Sequence, residues 1–189
     1  MKKKITLAVI CAVLSCVCLI GTTFAWLTDK TTTITNTFTV GNVDIDLTET
    51  TGATYKMVPG ATLAKDPTVI VTGGSEACWL FVKIEETDNT LIDTTKKLVK
   101  YTVADGWIQL EVDGNPVNGV YYRQVNANPS TGVVDAVTYS VLASDQVIIN
   151  PEATAADLAN ATNTKLTFTA YAAQQSGLSV TDAWALFTA

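Results

Sequence analysis

Histidine is absent from all 189 residues. The commonest general base and the commonest metal ligand are therefore both missing. That excludes the His-based zinc helix of metalloproteases and any Cys–His or Ser–His nucleophile pair. Cysteine is scarce as well. Of four, Cys11, Cys16 and Cys18 fall in an N-terminal apolar run, which leaves Cys78 alone downstream. One cysteine makes no internal disulfide, so the fold is not stapled. With no base to activate it, Cys78 reads as a small buried hydrophobe. Charge is sparse too: 16% of residues are charged against 48% apolar, which fits a packed domain and not a disordered chain. The sequence carries no solenoid repeat, low-complexity tract or interdomain linker.

What is present begins with an address. Lys2, Lys3 and Lys4 precede an apolar run of 16 residues, Ile5 to Ile20, and Gly21 breaks it. Thr23-Phe24-Ala25 then puts small residues at the two positions a signal peptidase reads. The expectation is a signal helix over residues 1–25, cut between Ala25 and Trp26. The run is shorter than the ~20 residues a membrane span needs. A lipoprotein cut at Cys16 would leave apolar residues still to come, and a type IV pilin leader would be cut before such a run. Cutting after residue 25 leaves 164 residues, enough for one domain with a real core. It also leaves 9 basic and 18 acidic residues, a net charge of −9. Such a surface repels phosphate backbones and anionic lipid, so nucleic acid is not an expected partner.

Residues 26–37 are Thr-rich and lack Gly and Pro. Trp26, Leu27 and Ile34 are too sparse to bury a face within a domain. The plain reading is a frayed terminus. The sharper one is an arm that needs a partner sheet, since an unpaired β edge recruits another chain.

From Phe38 to Ala189 the chain reads as strands separated by turns. Phe38 to Leu47 is the first strand region, with a change of parity at Gly41-Asn42 that predicts a bulge. Pro59-Gly60 is the central pair of a type II turn. Strands follow at 68–72 and 77–85. In the latter, Cys78, Leu80, Val82 and Ile84 take one side, and Trp79 and Phe81 the other. Residues 85–100 read as a polar loop with room for a helical turn. Further strands are expected at 101–103, 107–112, 119–125, 133–141, 146–149 and 165–174. Asn150 and Pro151 predict a helix start, as N-cap and first helical residue, running to about Ala159. A last helical turn at 181–187 carries Trp184, placed to dock on a sheet. The sum is an all-β fold: a jelly-roll-like β-sandwich with short helices in its connections.

Candidate chemistry is thin. Asp44 and Asp46 share one strand face, best read as a solvated edge; two acids alone supply too few oxygens for calcium. Glu85 and Glu86 are adjacent and so face opposite ways, which suits no joint acid–base role. Lys96, Lys97 and Lys100 make a small solvated basic patch. Trp79, Trp107, Tyr121 and Tyr122 are residues on which a sugar could stack, although packing is the commoner use of such rings. A Lys–Asn cross-link would need a carboxylic acid beside both partners, which sequence alone does not place. No catalytic residue, metal or cofactor is expected.

Several of these features occur together in order. The leader ends TFA-WLTD, FTVGNVDIDL spans Phe38 to Leu47, and Val58-Pro59-Gly60 follows. Then come Gly73-Gly74-Ser75, the Cys78–Ile84 strand, and Phe168-Thr169-Ala170-Tyr171-Ala172-Ala173-Gln174. The chain thus resembles the TasA/camelysin family of secreted bacterial biofilm-matrix proteins, whose leaders are cut by the SipW class of signal peptidase. The resemblance implies a jelly-roll subunit, exported from a Gram-positive cell, whose freed N-terminal strand enters the next subunit's sheet. Carried onto this chain, the self-assembly residues are Trp26, Leu27, Ile34 and Phe38. The implied partners are copies of itself, the SipW-type peptidase during export, and other matrix subunits. The competing expectation is a monomeric cell-surface module that binds carbohydrate or matrix. Some family members carry a metalloprotease label, which this histidine-free sequence does not support. The ending Phe187-Thr188-Ala189 carries no hydrophobic tail, and no LPxTG signal is present, so covalent wall anchoring is not expected.

Overall fold

Alternating side chains make most of this chain strand. In a strand of period two, one parity is buried and the other solvated. A computed structural model describes residues 42–52, 54–92 and 95–188. The cleavage pair Ala25 and Trp26, the arm residues Leu27 and Ile34, Phe38 and the parity change at Gly41 all lie outside the described residues.

Residues 40–189 form one compact unit. Its strands are β1 (Ile45–Thr48), β2 (Thr62–Ala64), β3 (Thr68–Val71), β4 (Cys78–Thr87) and β5 (Val99–Lys100). They continue with β6 (Ile108–Val112), β7 (Asn115–Val125), β8 (Val137–Ser140), β9 (Gln146–Ile149) and β10 (Lys165–Gln174). Among the described residues two short α-helices, α1 (Ala155–Asn160) and α2 (Val180–Ala185), and a 3-10 turn at Ala143–Asp145 interrupt them. All pairings are antiparallel, in three sheets ordered β1-β3-β8, β10-β4-β7-β6 and β2-β9-β5. The fold is an all-β sandwich. One core joins all three sheets: Val69 and Val71 from β3, Leu80, Val82 and Ile84 from β4, Val147 and Ile149 from β9.

β4 is the central element, paired along its whole length with β10 and over Cys78–Lys83 with β7. Its two faces behave as the alternation predicts. Cys78, Leu80, Val82 and Ile84 enter the inter-sheet core. Cys78 is fully buried, and burial pushes its thiol up to about 11. That suits a packed apolar group and disfavours a thiolate. Trp79 and Phe81 face the other way, into a second cluster under α2. There Trp184 lies 5.3 Å from Phe81 between ring centroids, and Phe187 lies 5.0 Å from Tyr171. The outer face of β4 is therefore covered by the C-terminal helix and not by a second sheet. Burying a ring of this size contributes about 3 kcal/mol.

Several local expectations need correction. No helix starts at Asn150. That residue is fully buried: its Nδ2 donates to the Lys97 carbonyl at 2.9 Å, and its Oδ1 accepts from Glu152 N at 3.1 Å. α1 starts four residues later, with Thr154 as N-cap. Thr154 and Asp157 form a reciprocal capping box. In the 85–100 stretch, β4 runs on to Thr87 and β5 takes Val99–Lys100. The strand expected at 133–141 shortens to Val137–Ser140. β7 begins at Asn115, ahead of the expected 119, and takes in Pro116; the turn before it is Asp113-Gly114, both at positive φ. Pro59-Gly60 is the type II turn foreseen, with Gly60 at φ 80° and Ala61 N bonded to the Val58 carbonyl at 2.9 Å.

Candidate functional site

Three ladders leave edges, and a groove of about 730 Å³ opens between three of them. Among the described residues, β1, β2 and β10 are each the terminal strand of their sheet. The groove takes Leu47 from the end of β1, Met57 from the following loop, Leu63 from β2, and Leu166 and Phe168 from β10. Val99, Val147 and Ile149 line it as well. These residues are apolar because the groove is the unsealed margin of the main core: five of them, Leu47, Met57, Leu63, Leu166 and Phe168, pack against that core while only half-buried.

Its polar wall is fixed by two carboxylates. Lys65 Nζ lies 2.5 Å and 2.7 Å from the two carboxylate oxygens of Glu49, and 5.5 Å and 5.6 Å from the Phe168 and Tyr55 ring centroids. The lysine stem is thus held along the apolar wall while its charge is neutralised. Asp66 gathers the loop after β1. It accepts from Thr50 N at 3.0 Å, Thr51 N at 2.9 Å, Thr51 Oγ1 at 2.8 Å and the Thr50 hydroxyl. The Thr50 hydroxyl, and then the Thr51 N–H, hold the Asp66 carboxyl well below the usual carboxylate range. A depressed folded-state pKa adds stability above the unfolded value of about 4, lost as pH falls below it. Thermal melts from pH 7 to pH 2 should show an acid limb, and Asp66→Asn should lower stability at pH 7 and make that limb shallower. An unchanged limb would remove Asp66 from the loop's support. Asp157 is held down in the same way by Thr154, so the variant should flatten only part of the limb.

The four rings considered for sugar stacking are all engaged in packing. Trp79 donates Nε1 to the Leu178 carbonyl at 3.0 Å, and its ring meets Tyr122 edge-on at 6.0 Å. Trp107 is buried and donates to the Ser140 carbonyl at 2.9 Å. Tyr121 packs on the main core. Arg123, the chain's one arginine, stacks 3.7 Å from the Tyr139 centroid and 5.1 Å from that of Trp107. Glu85 is exposed and pairs with Lys83 at 2.7 Å, whereas Glu86 takes part in a separate network. The sequence missed the groove, because it is built from residues far apart in the chain and has no local signature.

The all-β domain and the leader-to-β4 order of motifs agree with one family comparison. The family model described as camelysin metallo-endopeptidase matches residues 1–98, just over half of the chain. This chain belongs to the camelysin family, the family that includes TasA. No curated protein and no solved structure matches it at a significant level. The family's name implies a metal, and the donor set here does not fit one. Camelysin-type zinc chemistry would need N or S ligands beside carboxylates. This chain has no histidine, and its one cysteine after residue 18 is sealed in the core with a raised pKa. Among the described residues no three Cys, Asp or Glu side chains gather to hold an ion.

Proposed function

We propose that this camelysin-family chain is a secreted structural subunit of an extracellular biofilm matrix, and not a peptidase. In this reading a SipW-type signal peptidase cuts between Ala25 and Trp26. The freed arm, residues 26–37, then enters the groove of the next copy and pairs with a free strand edge there. Main-chain hydrogen bonds supply much of the affinity, while Trp26, Leu27, Ile34 and Phe38 set the register. The observation that carries the reading is the groove itself: an apolar margin of the core, bordered by the terminal strands β1, β2 and β10. Such edges invite another chain. A leader left in place would hold the arm at the membrane, so export and assembly are coupled. Other matrix subunits with similar arms would fit the same groove.

The test compares the form beginning at Trp26 with one beginning at Asn36, by electron microscopy of the purified proteins. The longer form should give fibres and the shorter only monomers. Equal fibres from both would rule out the arm as donor. The monomeric carbohydrate-binding reading gains no support from the aromatic residues, whose rings are engaged within the domain.

A further inference from the structure

Away from the groove, three side chains converge on one carboxylate. Glu86, near the end of β4, accepts the Tyr101 hydroxyl on Oε1 at 2.7 Å. Its Oε2 accepts from both Lys97 Nζ at 2.5 Å and Asn89 Nδ2 at 3.0 Å. Asn89 is 3% exposed. Its Oδ1 accepts the Val99 N–H at 2.6 Å, and its Nδ2 also donates to the Val99 carbonyl at 3.0 Å. The amide is therefore fixed in plane, with its carbonyl polarised by a backbone donor. One carboxylate oxygen bridges that amide's nitrogen and a lysine amine. Glu86, Asn89 and Lys97 also line a second pocket of about 420 Å³ that opens to solvent.

We propose that Lys97 and Asn89 become joined by an intramolecular isopeptide bond, with Glu86 carrying the protons. Glu86 takes a proton from the Lys97 ammonium, and the free amine attacks Asn89 Cγ. Negative charge develops on Oδ1, where the Val99 N–H already points. The bond Nζ–Cγ forms and the bond Cγ–Nδ2 breaks. The two protons shed by Nζ pass through Glu86 to Nδ2, which leaves as ammonium through the open pocket. Charge and atoms balance, nothing is oxidised or reduced, and no co-reactant is consumed. Holding amine, amide and carboxylate together replaces a bimolecular encounter by a positioned one. The product shortens the covalent path from β4 to β5, and so ties the four-stranded sheet to the β2-β9-β5 sheet.

Intact-mass measurement on the secreted full chain tests this. The expected mass lies below that of the processed sequence by one ammonia, about 17 Da. Trypsin should fail to cut after Lys97 and should release a branched peptide joining Ile84–Lys96 to Lys97–Lys100. Lys97→Arg, an exposed change that keeps the charge, should restore the full mass, and Glu86→Gln should also restore it. An unshifted native mass overturns the proposal. So does a deficit that persists in Lys97→Arg, which would point to cyclisation at an asparagine such as Asn118, before Gly119.

Discussion

Two defective subunits should complement each other only once. A form lacking residues 26–35 keeps the groove but has no arm. A form carrying Met57→Asp keeps the arm but places a charge on the groove wall. Met57 lies in a loop outside every strand ladder and is half-buried at the margin of the main core, so a thermal melt of this form checks that its fold is kept. Each form alone should remain monomeric. Mixed, they should form a one-to-one heterodimer that does not elongate, because the dimer has spent its only arm and its only working groove. Size-exclusion chromatography with light scattering reads this directly. The asymmetry follows from head-to-tail contact, in which arm and groove are different surfaces of one subunit. Fibres from the armless form, or an armless homodimer, would show that another surface drives assembly. Burying a carboxylate against apolar residues without a partner costs several kcal/mol, enough to lower groove occupancy by more than a hundredfold.

Gly119→Ala should be the most damaging single methyl in the domain. Gly119 lies within β7 at φ 70°, and a Cβ there would sit 2.2 Å from the Ile84 carbonyl oxygen of β4. That atom belongs to the backbone of the central strand, so it has little freedom to yield. The left-handed conformation alone costs an L-residue about 1–2 kcal/mol. Overpacking adds about 1–3 kcal/mol. Together they predict a loss of about 2–5 kcal/mol and a fall in Tm on the order of 10 °C for a domain of this size. Gly114→Ala supplies the control. Gly114 has nearly the same φ, 75°, but nothing stands within 4 Å of its Cβ position. It should lose only the conformational part. Equal losses at the two sites would mean that β4 and β7 separate enough at Gly119 to admit a side chain.

Sequence alone determined the elements whose cause is local. β9 and β10 fall at Gln146–Ile149 and Lys165–Gln174, as alternation placed them, and the Pro59-Gly60 turn follows from one fixed φ and one permissive residue. The two sides of β4 were legible for the same reason: parity is a property of the strand and not of its neighbours. Tertiary structure decided whatever depends on a partner distant in sequence. Asn150 and Thr154 both carry helix-capping side chains, yet only Thr154 caps, because burial beside Lys97 and Leu98 commits Asn150 to backbone groups there. The groove and the Glu86–Asn89–Lys97 cluster exist only once sheets meet. An edge or a shared carboxylate is defined by which strands stop pairing and where their loops return. Hydrophobic periodicity sets which way a side chain faces, but not what it will find there.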